Sequence, residues 1–566
     1  MKTIVFILAA WLLSSVAFAQ SISPSILATK VDSLVAVTIK DKDPGGVVGV
    51  ISNNQVIFKK AYGLMSLEYN LPNTETTTFN LASVSKQFTA YAILLLEKEG
   101  KLKLDDDVHQ YLPWLPDYGQ KITLRHLIHH TSGIPPSDNI KLFAGISLET
   151  PWTTEDEIQL MKRYTKLNFT PNEEHLYSNA GYFLLAQVVE KVSGQPFDEF
   201  MKARIFEPLG MKNSFIYDAP GEVIGNKASF YKKSENGYKR MFPESDSYFG
   251  ETNLYTSLDD MLLWCENLLN PKVGTREMND RIFNPTDKTN KGDTIKYTYG
   301  FYTGKYKGIR MADHAGSSMG VCTHLMVFPD QQFAVFMLSN NENMNVWEII
   351  TKIADWSLAN YITSDKPLTH EAISIDKTLL SQYEGSFEMG NGMRLTFKPE
   401  NDTLRILLPD NVKLKMYPER ENKFFLKEVD AQCTFIKSNG QPVSEICWHQ
   451  GNQDFKGIKV TQGKPIDQST LSSFAGSYFS ESLNVCYPIR YENQKLIMKL
   501  PSTFKTYAGI ETELQLYPMD DDRFQTSSLG IVAFERDNKA KIRGFKFCDA
   551  GRIRNIEFSK REQDSE

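Results

Sequence analysis

The sequence predicts an α+β domain, an antiparallel sheet flanked by helices, followed by two small antiparallel β-barrels. Three observations predict it. Short apolar strand patterns lie at both ends of residues 24–365, with amphipathic helical patterns between them. The last third repeats: Leu380-Ser381-Gln382-Tyr383-Glu384-Gly385-Ser386-Phe387 returns as Leu471-Ser472-Ser473-Phe474-Ala475-Gly476-Ser477-Tyr478. Within each repeat, short alternating runs such as Met393-Arg394-Leu395-Thr396-Phe397 are separated by Asn, Asp, Gly and Pro.

The 566 residues carry 63 Lys+Arg against 69 Asp+Glu, a formal net charge of −6, with 41% hydrophobic and 23% charged residues. That much apolar material offsets chain entropy, so global disorder is excluded. A slightly acidic balance also excludes a general nucleic-acid binder, which needs a basic excess to neutralise phosphates.

Residues 1–19 read as an export signal. Lys2 is positive, residues 4–13 are apolar, and Ala17-Phe18-Ala19 has the small-x-small form of a cleavage site, so cleavage is expected after Ala19. An apolar run of about ten residues is too short for a bilayer, which needs about 20. No Cys follows the expected cut, and no later segment is long and apolar enough to span a membrane. The expected location is therefore periplasmic or secreted.

Residues 24–365 form the first domain. Ile26, Leu27, Val31, Leu34 and Val35 have helical spacing, with Ser23 as cap and Pro24 at the first helical position. Residues 46–52 and 56–63 are strands around Asn53-Asn54. Residues 327–338 form a hairpin turning at Pro329-Asp330-Gln331, and residues 345–362 a closing amphipathic helix. No Gly-rich phosphate loop is present.

The two repeats, residues 377–463 and 468–562, are each an all-β unit whose natural closure is a barrel, which removes sheet edges. Leu414-Lys415-Met416-Tyr417-Pro418 returns as Leu514-Gln515-Leu516-Tyr517-Pro518, with Phe424 and Phe524 following each. Eight steps separate Pro409 from Tyr417, but sixteen separate Pro501 from Tyr517, so the second repeat carries an insertion near residues 502–513. Cys433 and Cys447 flank Ser438-Asn439-Gly440, a hairpin-turn signal. A disulfide and two separate buried thiols are both compatible with that placement. The polar stretch 364–376 reads as a linker.

Three motifs in the first domain carry chemistry. Ser83-Val84-Ser85-Lys86 opens a strongly apolar helical segment, and a spacing of three places Ser83 and Lys86 on one face. A serine needs a base to become a nucleophile, and a lysine among apolar side chains can be neutral enough to serve. Taken alone, this motif also describes a capped helix with a surface lysine. Tyr177-Ser178-Asn179 lies between a loop and a helix, where Tyr177 could relay a proton and Asn179 could reach a substrate or simply cap the helix. His314-Ala315-Gly316 leads towards a strand predicted over residues 320–328, with Gly316 allowing close approach of a substrate backbone. The N–H of Ser317 could pair with that of Ser83 as an oxyanion hole.

S-x-x-K, Y-x-N and H-x-G in this order resemble the serine β-lactamase and penicillin-binding protein superfamily, most of all its class C branch. Leu124-Arg125-His126-Leu127-Ile128-His129-His130-Thr131-Ser132-Gly133 and Gly250-Glu251-Thr252-Asn253-Leu254-Tyr255-Thr256-Ser257-Leu258-Asp259-Asp260 support the resemblance. It implies a β-lactamase/transpeptidase-like fold, here with two lipocalin-like barrels appended. It also implies roles: Ser83 as nucleophile, Lys86 as base, Tyr177 as proton relay, and Asn179, His314, Gly316 and Ser317 in substrate binding. The reaction would pass through an acyl-enzyme and needs no metal or organic cofactor. His126, His129 and His130 lack the further ligand spacing of a zinc site.

The sequence departs from the family where the lactamases usually have Lys-Thr-Gly. A histidine, with a reference pKa of about 6.5, is only partly charged near neutrality. Carboxylate recognition at His314 should weaken, and penicillins are expected to be poor substrates. H-x-G with two barrels is similar to the D-aminopeptidase subgroup, in which a barrel loop enters the cleft. The insertion, with Phe504, Lys505, Tyr507, Glu511 and Glu513, is the expected loop. The leading expectation is an exported serine hydrolase of small peptide amides, including those of D-amino acids. The alternatives are an esterase, a D,D-peptidase or weak β-lactamase acting on peptidoglycan-related substrates, and a non-catalytic binding protein.

Overall fold

A computed structural model describes residues 22–363, 370–389, 394–400, 403–407, 413–427, 431–437, 442–450, 453–461, 466–520 and 522–561. The segment expected to be an export signal, part of the expected linker, the turn at Ser438-Asn439-Gly440, Met393 and Pro409 lie outside the described residues.

Helix α1 (Pro24–Thr38) begins as its sequence dictates, with Pro24 in its first turn and the Ser23 side chain accepting from the Ile26 N–H. It leads into strands β1 (Gly46–Ser52) and β2 (Gln55–Tyr62). Four more strands arrive near the end of the domain: β3 (Tyr302–Tyr306), β4 (Ile309–Ser318), β5 (Val321–Phe328) and β6 (Phe333–Ser339). They join in one antiparallel six-stranded sheet of order β3-β4-β5-β6-β1-β2. The strand period then sorts the core. On β1, Val48 and Val50 face α1 and the closing helix α2 (Val346–Ser357), whereas Val47 and Ile51 face the larger helical core. The closing helix stops at Ser357, five residues short of the sequence expectation.

The larger core surrounds helix α3 (Lys86–Lys98), every residue of which from Lys86 to Leu96 is buried. Phe88 stacks on Trp264 with centroids 4.1 Å apart, and the Trp264 indole N–H donates to Gln87 at 3.0 Å. A helix buried on all sides reads as apolar all round, which explains the weak amphipathicity of this segment.

The chain continues into two closed antiparallel barrels, each of eight strands among the described residues, spanning Gly385–Val460 and Gly476–Lys560. The repeat anchors are their cores: Leu380, Tyr383, Phe387 and Phe424 in the first, Leu471, Phe474, Tyr478 and Phe524 in the second, all buried. Aromatic rings fill both interiors, with Phe397 and Phe435 4.9 Å apart in one and Phe545 and Phe558 4.7 Å apart in the other. The disulfide reading fails on register. Cys433 pairs with Trp448 and Thr434 with Cys447, so the two thiols point to opposite faces, and both are free.

The barrels are joined through Arg394 of the first, which contacts Asp520 of the second at 2.9 Å and its own Glu388 at 3.1 Å. The second barrel also docks on the first domain. Ile140 and Phe143 of helix α4 (Ser137–Ala144) and Leu160 of helix α5 (Thr154–Arg163) share one hydrophobic cluster with Phe504, Phe547 and Ile553.

Candidate active site

From Thr77 to Leu96 every residue is buried except Ser83, which is half-exposed. Ser83 sits in a short 3₁₀ turn, Ala82–Ser85, that runs directly into α3. The turn is entered through Ala82 at φ 47°, a left-handed conformation that costs a non-glycine residue about 1 kcal/mol or more. It is held there by the Asn80 side chain, which accepts the Ala82 N–H at 2.7 Å. Strain at this one residue turns the serine hydroxyl outward while its neighbours stay in the core.

Lys86 Nζ lies 3.1 Å from Ser83 Oγ and donates to the Glu251 carbonyl at 2.9 Å. Burial pushes the Lys86 ammonium down to about 7; Glu251 and Asp138 oppose the shift and Arg552 assists it. The lysine is therefore poised to take a proton near neutral pH. The Gly250–Asp260 motif exists around this contact. Thr89 donates to the Gly250 carbonyl at 2.6 Å, and the Leu254 N–H donates to Ser85 at 3.3 Å. A Cβ on Gly250 would meet the Tyr182 carbonyl at 2.5 Å, so glycine is required where the two segments touch.

Tyr177 lies immediately before helix α6 (Asn179–Ser193) and packs its ring 5.1 Å from Lys86 Nζ. Burial holds its proton on, and the hydroxyl itself is buried with no partner in hydrogen-bond geometry. The Asn179 side-chain oxygen is likewise buried and unpartnered. Two unsatisfied polar atoms beside a half-exposed serine are the mark of a place prepared for a ligand.

His314 and Gly316 lie inside β4 rather than before a strand, as the sequence reading placed them. Its Asp, Gly and Ser residues obscure the strand period. His314 and Gly316 face inward, and Ala315 and Ser317 face outward. His314 Nδ1–H donates to the Ala315 carbonyl at 2.6 Å, so Nε2 accepts from the Tyr297 hydroxyl at 2.9 Å. Burial, aided by the nearby Lys86, pushes the imidazole down to about 3. The partial charge expected from the reference value is therefore absent: His314 is a neutral wall residue. Gly316 also has a different reason from the expected one. Its missing Cβ makes room for the protein's own Leu81 carbonyl, 2.3 Å from where a Cβ would stand. Thr323 clamps the same carbonyl, donating to it at 2.9 Å.

The three histidines of the Leu124–Gly133 motif serve separate structural ends. His126 accepts the Thr123 N–H at 3.3 Å in the cap of helix α7 (Leu124–Ile128). His129 donates to the Tyr297 carbonyl at 2.8 Å. His130, at φ 56°, accepts the Ser178 N–H and packs 4.2 Å from the Tyr177 ring. Among the described residues, Cys447, His449 and Asp454 on the first barrel have the spacing of metal ligands, but both His449 ring nitrogens are already engaged, by Asp454 and Thr434.

The insertion does not supply the cleft loop. It forms a helical turn, Phe504–Ala508, whose Phe504 packs on Phe143 and whose Tyr507 contacts Ser147. Lys505 pairs with Glu511, and Glu513 with Arg490. The longer segment docks on helix α4 and the chain just after it. The loop that does reach the site is a shorter one of the same barrel, residues 550–555. It places Arg552 5.8 Å above the Tyr177 ring. Arg552 and the Glu251 carbonyl were both missed by sequence reasoning; Glu251 at least stood inside a quoted motif.

Comparison with known proteins follows the same outline. Residues 29–357 match the family model described as Beta-lactamase. Penicillin-binding protein 4* of Bacillus subtilis (strain 168) is 28% identical, covering 72% of this chain and 94% of that protein. The D-aminopeptidase of Gluconobacter oxydans (strain 621H) is 24% identical over 53% of this chain and 56% of its own length. The octameric penicillin-binding protein homologue from Pyrococcus abyssi shares the fold, with a TM-score of 0.53 at 24% identity over 76% of this chain and 100% of that one.

Proposed function

The chain belongs to the Beta-lactamase family of serine hydrolases, and on that premise we propose that it is an exported hydrolase that forms an acyl-enzyme on Ser83 and cleaves amide bonds of small peptides. The observation that carries the reading is the 3.1 Å contact between Ser83 and a lysine that burial holds near neutrality. Lys86 takes the Ser83 proton as Oγ attacks the carbonyl. The N–H groups of Ser83 and Ser317 hold the resulting oxyanion. Tyr177, still protonated, hands its proton to the departing amine and recovers one from Lys86. Asn179 fixes the acyl side through its unpartnered amide oxygen, and Gly316 keeps β4 close to the serine turn. Water then hydrolyses the ester of Ser83.

The penicillin-binding and D-aminopeptidase relatives support peptides, including those containing D-amino acids or related to peptidoglycan, as the substrate class. Export rests on residues 1–19. The test is hydrolysis of a D-alanyl anilide by the wild type and by Ser83→Ala, with an aryl ester alongside. Cleavage of the anilide that vanishes in Ser83→Ala is the expected result. Cleavage of the ester alone would move the assignment to an esterase.

A further inference from the structure

We propose that Arg552, delivered by the second barrel, is a specificity-determining residue that binds a carboxylate on the leaving-group side of the substrate. The inference rests on the amide-hydrolase reading and adds to it a substrate class: short peptides whose departing residue carries a free carboxylate.

The backbone of the loop is held in place from both domains. Ile553 is fully buried and Ala550 nearly so. Asn168 clamps the backbone from the first domain, donating to the Arg552 carbonyl at 3.0 Å and accepting the Arg554 N–H at 2.8 Å. Asn168 is itself fixed, since its N–H donates to the Gly133 carbonyl at 2.7 Å. Arg554 pairs with Glu174 at 3.0 Å on the far side. The loop thus crosses from one domain to the other with a defined geometry.

The side chain then points to one place. Its Nη2 donates to Asp138 of α4 at 2.7 Å, and its guanidinium lies over the Tyr177 ring. Among the described residues, its other N–H groups have no protein acceptor. A guanidinium can hold one carboxylate on one edge and a second on another. Its positive charge reaches both reacting groups, acting on Lys86 and on Tyr177. Lys86 is only partly charged near neutral pH and His314 is neutral there, whereas the Arg552 guanidinium keeps its charge. Because Tyr177 delivers the proton to the departing amine in the mechanism above, an anion held over its ring belongs to that departing group.

The experiment compares 4-(D-alanylamido)benzoate with the matching benzamide, whose ring amide is neutral, for the wild type, Arg552→Gln and Arg552→Lys. The carboxylate-over-carboxamide ratio in kcat/KM should fall about 30-fold in Arg552→Gln, the size of one lost charge-assisted contact, and recover in part in Arg552→Lys. An unchanged ratio in Arg552→Gln overturns the proposal, including when both rates drop together. Calorimetric binding of the same two compounds to Ser83→Ala and to Ser83→Ala/Arg552→Gln gives a readout that needs no turnover. Preference for the carboxylate in the first and its loss in the second supports carboxylate binding by Arg552 independently of turnover; failure of the wild type to cleave either compound would instead overturn the hydrolase reading and, with it, the leaving-group assignment. Equal binding of both compounds to Ser83→Ala overturns the proposal while leaving that reading intact.

Discussion

Lys86→Arg should lower acylation of Ser83 by about 10³-fold, within the range for loss of a general base. Arginine keeps the charge and much of the length, but it does not give up its proton at any working pH. In the wild type, the acylation rate should rise with pH through the Lys86 transition near 7 and level off above it. The mutant should lack that limb. The measurement is the single-turnover rate of an anilide or activated ester between pH 5 and 10. An active Lys86→Arg protein with an unaltered profile would remove Lys86 from the base role.

The same burial leaves a thermodynamic signature. Between about pH 7 and the ordinary lysine value of 10.5, the unfolded chain holds a Lys86 proton that the folded chain has lost. Stability rises with pH wherever the unfolded state binds more protons, so this group's penalty is fully present below about 7 and fades as pH approaches 10.5. The melting-temperature gap between Lys86→Met and the wild type should shift in the mutant's favour on going down from pH 10 to pH 7. A gap that does not change with pH would contradict the burial argument.

Gly316→Ala is the second substitution expected to have a large effect. A Cβ there would stand 2.3 Å from the Leu81 carbonyl and 2.3 Å from Thr323 Oγ1. Neither neighbour can yield freely. The Leu81 N–H is bonded to the Leu254 carbonyl, and Thr323 already donates to the Leu81 oxygen. β4 must therefore move away from the serine turn, carrying the Ser317 N–H with it. Displacing a positioned group by about 1 Å costs on the order of 10²-fold in rate, and overpacking of this kind costs about 1–3 kcal/mol of stability. Both kcat/KM and melting temperature should fall. Wild-type activity in this variant would show that the spacing between β4 and Ser83 does not matter.

Much of this site was legible from local pattern. Ser83 and Lys86 are three residues apart on one turn, and Tyr177 and Asn179 flank a helix start, so short-range periodicity reveals them. The repeat was legible because its matched anchors, such as Phe424 and Phe524, are core positions that tolerate little change. What escaped is non-local. Arg552 meets Asp138 across a separation of 414 residues, and nothing in the local sequence of either announces the other. The charge of His314 escaped for a related reason. A reference value describes an imidazole in water, whereas this one is buried among Tyr297, Tyr177 and Tyr302 and feels the charge of Lys86. The cysteines show the limit of turn signals: Ser438-Asn439-Gly440 indicated that two strands pair, but a register change of one residue decides which face each thiol takes.

The hydrophobic cluster shared by α4, α5 and the second barrel has a consequence for the order in which the molecule is made. Phe143 and Leu142 give their carbonyls to Tyr487 and Thr503, residues 344 and 361 positions later in the chain. While the chain emerges from the ribosome, these two helices have no complete surface to pack against until the last barrel has been synthesised. The wall of the cleft that carries Asp138 therefore reaches its full packing only once the second barrel is in place. A polypeptide that ends early would expose that apolar face, together with an unfinished active site, to proteases and to aggregation.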